Sequence, residues 1–161
     1  AVIAYEVARR AQSASWRAPV AVILAAAWPP QGYGEYAAEF WSRDALEDDD
    51  ALVRRMIDIG GVDSEAVQES EIQRLLLPIL RADLAAELGY THSDEPRLGS
   101  ATKLRVLAAA EDRTISPAAV KLWANCAENV EVLEVPGGHF LHLEGPSAAD
   151  FVERVQTWLD P

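Results

Sequence analysis

The stretch VAVILAAA occupies residues 20–27 and is apolar throughout, with Pro19 before it and Pro29 shortly after it. A strand with one face in water alternates apolar and polar residues, and this stretch does not. An apolar run of this length between turn residues predicts a short strand that is covered on both faces, as in a parallel sheet. We expect the rest of the fold to be built around that sheet.

Two further strands are predicted at residues 104–109 and 130–135. A helix is expected from Ser116-Pro117 to about residue 127, and another over residues 146–158, so helices alternate with strands. This alternation predicts an α/β fold with a mostly parallel sheet and helices on both faces.

Residues 1–14 are predicted to form a well-buried helix, because Ile3, Val7 and Ala11 recur at helical spacing. The apolar stripe at these positions is the face that we expect to pack on the sheet.

Residues 44–88 are predicted to be a helical insertion between two parts of the core, residues 1–43 and 89–161. Acidic residues crowd positions 44–50, and we interpret them as the solvated start of a helix rather than as a metal site. Pro78 lies inside a later helical pattern and is expected to kink or split that helix.

Composition and charge exclude several classes of function. The 161 residues have a net charge of −12, which speaks against nucleic acid and anionic membranes as partners. The longest apolar run, residues 20–28, is too short to span a membrane. A single cysteine, Cys126, excludes an intrachain disulfide and a multi-cysteine metal site. A reducing, cytoplasmic setting fits best, and no metal site is expected.

Titratable side chains follow the last two predicted strands. Glu111 and Asp112 come after the second strand, and His139 follows the third, directly after two glycines. Because the carboxyl ends of parallel strands meet at one edge of a sheet, we expect one acidic residue to orient His139, as in a hydrolytic triad. His142 is a weaker alternative to His139. No G-x-S-x-G occurs in the sequence, so the usual nucleophile of such a triad is missing from it.

Four segments of the sequence resemble the type II (editing) thioesterases of polyketide and nonribosomal peptide assembly lines, which have the α/β-hydrolase fold. They are AVIAYEVARR (1–10), IGGVDSEAVQESEIQRLLLPILRADL (59–84), LRVLAAAEDRTISPAAVKLW (104–123) and VPGGHFLHLE (135–144). The second resembles the helical lid of the family and is the most diagnostic. The third and fourth resemble its catalytic Asp loop and its G-G-H-F motif.

The resemblance implies that this sequence corresponds to the C-terminal portion of the α/β-hydrolase fold, with residues 44–88 as the lid. Asp112 matches the catalytic acid of the family, with Glu111 as the competing choice, and His139 matches the general base. The catalytic Ser is expected upstream, in a segment that would be a partner of this one. The implied reaction is hydrolysis of acyl thioesters on the phosphopantetheine arm of an acyl or peptidyl carrier protein, with no other cofactor.

Some expectations stay open at this stage. Residues 25–28 (AAAW) stand where the family has a polar turn, so no substrate-binding residue is assigned. Another α/β-hydrolase, such as a chain-terminating thioesterase or an esterase, is an alternative. So is a non-catalytic binding module that lacks the nucleophile. We also expect these 161 residues alone not to form a stable enzyme, because the strand at 20–27 would expose an unpaired apolar edge.

Overall fold

The computed structural model describes residues 1–33, 46–60, 64–93, 97–141 and 145–159. The helices and strands, in chain order, are α1 (Val2–Ser13), β1 (Ala21–Ala25), α2 (Asp49–Ile59), α3 (Ser70–Gly89), β2 (Lys103–Ala109), α4 (Pro117–Val120), β3 (Val130–Val135) and α5 (Gly145–Leu159). Short 3₁₀ helices occupy Pro30–Gly32, Ala66–Gln68 and Lys121–Asn125. Within these ranges, none of the helices combines the length and the apolar character that a membrane crossing requires.

The chain divides into two compact units. The first unit comprises Ala1–Gln31 and Ser93–Pro161, and it holds the sheet. The second unit comprises Gly32–His92 and holds α2 and α3. The helical insertion predicted at residues 44–88 falls within the range of this second unit.

The described strands form a parallel sheet in the order β1-β2-β3. Ala21 lies opposite Lys103 across the first pair, and Leu104 lies opposite Val130 across the second. The prediction of a parallel α/β sheet is therefore confirmed. In the part of the chain that the structure describes, β1 pairs only with β2 and so lies at an edge.

Both faces of the sheet are covered, as the unbroken apolar run of β1 predicts. On one face, Val106 packs in a cluster with Tyr5 of α1 and with Trp123 of the segment after α4. On the other face, the next residue along β2, Leu107, packs with Leu141 and with Trp158 of α5. Adjacent residues of one strand thus contribute to two cores, because successive side chains of a strand point to opposite faces.

Helix α1 forms where it is expected, but it buries only part of the predicted stripe, because Ala11 is buried and the other two residues are not. Ile3 and Val7 are 75% and 62% exposed, whereas Tyr5 is 1% exposed. The Tyr5 ring meets the Trp123 ring edge-on, with centroids 5.3 Å apart, and its hydroxyl donates a hydrogen bond to the Cys126 carbonyl oxygen at 3.1 Å. One large aromatic side chain with a buried hydrogen bond therefore sets the rotation of this helix, rather than Ile3 and Val7.

The second unit has a core of its own, which is formed by residues from α2, α3 and the 3₁₀ turn between them. Its buried members are Leu52, Val53, Val67, Leu77 and Leu84. The acidic segment starts α2 as predicted, since the Asp48 side chain accepts a hydrogen bond from the Ala51 N–H at 3.1 Å and Asp49 and Asp50 occupy the first turn. Residue 44 lies outside the described residues.

Pro78 does not split α3, so the expected break is absent. The helix runs without interruption over Ser70–Gly89. Leu77 and Leu84 are 3% and 4% exposed, so the helix is anchored in the core on both sides of the proline. Burial of these side chains offsets the lost backbone hydrogen bond.

The segment after Ser116 also departs in detail from its prediction. The Ser116 hydroxyl caps α4 by accepting a hydrogen bond from the Ala119 N–H at 3.2 Å, and Pro117 occupies the first turn, as expected. However, the α-helix ends at Val120 and continues as a 3₁₀ helix over Lys121–Asn125. This tighter winding accompanies the complete burial of Trp123 against the sheet.

We predict that Trp123→Ala lowers the free energy of unfolding by about 3–5 kcal/mol, because it empties a fully buried site. The indole N–H of Trp123 also donates to the buried Ala27 carbonyl oxygen at 2.8 Å. Urea unfolding measures the change. Leu122→Ala is the matched control, since Leu122 is 45% exposed, and it should change stability by less than about 0.5 kcal/mol. Equal losses in the two variants would contradict this description of the core.

Candidate active site

The loops that follow β2 and β3 meet at one edge of the sheet. Ala109, the last residue of β2, lies opposite Val135, the last residue of β3. Beyond these strand ends the backbone stays paired, because the Ala110 N–H donates to the Val135 carbonyl oxygen at 2.9 Å and the Glu111 N–H donates to the Gly137 carbonyl oxygen at 3.0 Å. The loop that contains Asp112 is thus hydrogen-bonded to the loop that contains His139.

Gly137 shapes the turn that leads into His139. Its φ is +113°, a backbone conformation that costs glycine little and strains other residues. The Leu141 N–H then donates to the Gly138 carbonyl oxygen at 3.1 Å, which closes a tight turn around His139. The turn leaves the His139 side chain 27% exposed at the rim of the sheet.

The Asp112 carboxylate is the centre of a dense set of hydrogen bonds. Its Oδ1 atom accepts from the Thr114 N–H at 2.7 Å, from the Thr114 hydroxyl at 2.7 Å and from the Ile115 N–H at 3.1 Å. Its Oδ2 atom lies 2.9 Å from Nδ1 of His139. The Asp112 side chain is only 1% exposed, so these contacts replace the hydration that burial removes.

These contacts keep the carboxylate ionised. Burial by itself raises the pKa of Asp112, but hydrogen bonds from His139 and Thr114 and the attraction of His139 outweigh it, so the pKa lies below its ordinary value. An ionised carboxylate can only accept hydrogen bonds. The 2.9 Å contact therefore requires that Nδ1 of His139 carries a hydrogen, so that in the neutral form of the ring the lone pair is on Nε2.

The arrangement suits the general-base half of a catalytic triad. Nε2 has no hydrogen-bond partner among the residues that the structure describes, and the ring is partly open to solvent. An imidazole with a buried carboxylate behind Nδ1 and a free lone pair on Nε2 can take a proton from a hydroxyl group.

The other candidates from the sequence lie elsewhere. Glu111 is exposed and its contact with the histidine loop is through its backbone, so Asp112 is the acid that contacts His139. Cys126 is 1% exposed within the core, which agrees with its interpretation as a small core residue. His142 lies outside the described residues. Among the residues that the structure describes, no group of three or more His, Cys, Asp or Glu side chains could hold a metal ion.

Thr114 is the member of this cluster that sequence analysis missed. A signal was present, because Thr two residues after Asp is a common pattern in turns in which side chains bond the backbone. The pattern alone does not reveal that the hydroxyl also approaches the histidine, since His139 is 25 residues further along the chain.

We predict a specific pH dependence of stability from Asp112. Since folding lowers its pKa, the ionised carboxylate stabilises the folded state above the unfolded pKa of about 3.9, and this contribution is lost as the pH falls through the folded pKa. Asp112→Asn should be less stable than the wild type at neutral pH, and the difference should shrink below about pH 4. Urea unfolding of both proteins over this range measures it, and a constant difference would contradict the lowered pKa.

The chain is similar to thioesterases of biosynthetic pathways. It is 31% identical to the "Probable anguibactin biosynthesis thioesterase AngT" of Vibrio anguillarum over 104 residues, which are 62% of this chain and 40% of AngT. Among solved structures, it matches RedJ, a thioesterase from the prodiginine biosynthetic pathway of Streptomyces coelicolor, with a TM-score of 0.83 and 27% identity over 96% of this chain and 58% of RedJ.

A second solved structure that matches this chain is also a thioesterase of a biosynthetic pathway. YbtT, the type II thioesterase of the yersiniabactin NRPS/PKS pathway, matches with a TM-score of 0.77 and 25% identity over 95% of this chain and 59% of YbtT. The chain therefore spans less than two thirds of the length of each of these relatives. The family model that describes the thioesterase domain matches residues 1–159. This chain, with the α/β fold of the solved thioesterases, belongs to the thioesterase domain family.

Proposed function

We propose that the protein is an editing thioesterase, which hydrolyses acyl thioesters on the phosphopantetheine arm of an acyl or peptidyl carrier protein. The observation that carries this proposal is the 2.9 Å contact between Asp112 and His139 in a chain that the thioesterase domain model matches over residues 1–159. The editing role and the carrier substrate are supported by the likeness to YbtT, which is named a type II thioesterase.

In the proposed mechanism, a serine hydroxyl attacks the thioester carbonyl. Nε2 of His139 takes the proton from that hydroxyl, and Asp112 stabilises the imidazolium that forms. The thiol of the phosphopantetheine arm leaves with a proton from the imidazolium, and the acyl group stays on the serine as an ester. His139 then removes a proton from water, which attacks the ester, and the imidazolium returns that proton to the serine oxygen as the acid is released.

The proposal places the attacking serine upstream of residue 1. The 161 residues contain no G-x-S-x-G, the motif in which the nucleophile of an α/β-hydrolase sits. The backbone N–H that follows the nucleophile supplies part of the oxyanion hole in this fold, so the proposal assigns that part to the same upstream sequence.

The lid of the proposed enzyme is the helical segment at residues 44–88. This segment belongs to a unit with its own core, which suits an element that moves as one piece. On α3, Leu75 and Ile79 are 69% and 61% exposed, whereas Leu77 is buried. An exposed apolar surface of this kind suits contact with an acyl chain.

The proposal includes an acyl or peptidyl carrier protein as the partner and a cytoplasmic localisation. The lone, buried Cys126 is compatible with a reducing compartment.

We predict that a fluorophosphonate probe labels the protein on one serine and that this serine lies in a G-x-S-x-G upstream of residue 1. The probe reacts with a serine that a neighbouring base activates, and proteolysis with mass spectrometry locates the labelled peptide. Prior incubation with an acyl-loaded carrier protein should slow the labelling. A label on a serine among the 161 residues would contradict the assignment of the nucleophile.

We predict that His139→Ala and Asp112→Asn each lower the kcat for hydrolysis of an acyl-loaded carrier protein by about 10⁴-fold or more. His139→Ala removes the base, and Asp112→Asn removes the charge that fixes its tautomer. Release of the free thiol, followed with a thiol reagent, measures the rate.

Glu111→Gln is the matched control for these variants, because Glu111 neighbours Asp112 and its side chain is exposed. It should keep the kcat of the wild type. Loss of activity in Glu111→Gln with full activity in Asp112→Asn would reverse the assignment of the acid. Full activity in His139→Ala would refute the proposed mechanism.

A further inference from the structure

The Thr114 hydroxyl lies between the two members of the acid–histidine pair. Its Oγ1 atom is 2.7 Å from Oδ1 of Asp112 and 3.0 Å from Nδ1 of His139. We propose that Thr114 is a positioning residue of this site, whose hydroxyl joins Asp112 to His139 and holds the carboxylate and the imidazole in one relative orientation.

The hydrogen atoms can be assigned in only one way when Asp112 is ionised. The carboxylate has no hydrogen to donate, so the Thr114 hydroxyl donates to Oδ1 and Nδ1 of His139 donates to Oδ2. The Thr114 hydrogen is then in use, and its oxygen can meet Nδ1 only as an acceptor. The Nδ1–H is therefore shared between Oδ2 of Asp112 at 2.9 Å and Oγ1 of Thr114 at 3.0 Å.

The backbone fixes the position of this hydroxyl. The Thr114 N–H donates to the same Oδ1 atom at 2.7 Å, and the next residue, Ile115, does so at 3.1 Å. Threonine is branched at Cβ, which restricts its side chain to few rotamers. The backbone and the side chain of Thr114 are thus both hydrogen-bonded to Asp112. These bonds fix the position of the hydroxyl relative to His139.

The shared hydrogen bond restricts the imidazole in two directions. A single acceptor behind Nδ1 allows the ring to swing about that contact. A second acceptor on a different residue limits the swing and so limits where the lone pair of Nε2 points. When Nε2 takes a proton and the ring becomes a cation, both acceptors stabilise it, because hydrogen bonds to charged groups are stronger than neutral ones.

The expected effect of Thr114 on kcat rests on the proposed function, but its expected effect on the pKa of Asp112 does not. If the Thr114 hydroxyl donates to the carboxylate, its removal raises the pKa of Asp112 whether or not the protein hydrolyses thioesters. If it also orients the base, its removal lowers kcat and leaves KM nearly unchanged, because the interaction serves the chemical step and not binding.

The experiment compares four variants with the wild type in the full-length protein. Thr114→Val keeps the branched shape and removes the hydroxyl, and Thr114→Ala is a second variant without it. Thr114→Ser restores the hydroxyl. Ser116→Ala is the matched control, because it removes a hydroxyl from the same loop that caps α4 and does not contact the pair.

Two readouts are measured on each variant. The first is the ¹³C NMR titration of the Asp112 carboxyl group, assigned by its absence in Asp112→Asn. The second is kcat and KM with an acyl-loaded carrier protein. We expect a higher Asp112 pKa and a kcat lower by about tenfold, with KM nearly unchanged, in Thr114→Val and Thr114→Ala. Thr114→Ser and Ser116→Ala should match the wild type in both readouts.

The outcomes separate this inference from the proposed function. A wild-type Asp112 pKa in both Thr114→Val and Thr114→Ala overturns the positioning role. Equal shifts in Ser116→Ala also overturn it, because they would reflect a general loosening of the loop. If the wild-type protein hydrolyses no thioester, the proposed function fails, while the titration still tests whether the Thr114 hydroxyl donates to Asp112.

Discussion

The parallel pairing of β2 with β3 is the constraint on which the candidate site depends. Asp112 and His139 are 27 residues apart in the sequence, and no local structure brings them together. The pairing sets Ala109 opposite Val135, so that the two strands end side by side and their loops leave the sheet at the same place. Two backbone hydrogen bonds continue this pairing into the loops. Burial of both faces of β2 then holds the strand ends in position.

The buried carboxylate of Asp112 shows how the site accommodates a charge. Removing a carboxylate from water is unfavourable unless hydrogen bonds replace its hydration. The chain supplies them from one short turn, in which two backbone N–H groups and one hydroxyl point at the same oxygen atom. This leaves Oδ2 to face His139. The interactions that make burial of the charge possible also orient the base. The same few atoms therefore contribute to the stability of the fold and to the chemistry of the site.

The departures from sequence-based expectation have a common cause. In α1, counting apolar residues favours the face with Ile3 and Val7, but Tyr5 is the residue that packs edge-on against Trp123 and hydrogen-bonds to the Cys126 carbonyl oxygen. In α3, the intrinsic cost of Pro78 is outweighed by the burial of Leu77 and Leu84 on either side of it. Periodicity and propensity describe the residues of one segment, whereas the interactions that decide the structure here join segments that are distant in sequence.

The sequence by itself determined the class of the fold, most of its strands and helices to within a few residues, and the loops that hold the candidate residues. These features depend on apolar runs, caps and turn residues that act over short distances in the chain. Only the tertiary structure decided which acidic residue meets His139, because Glu111 and Asp112 are neighbours in sequence and differ in the direction that the folded loop gives them. The tertiary structure also decided that Thr114 contacts both Asp112 and His139. A hydrogen bond requires an approach within about 3 Å, and only packing sets distances on that scale.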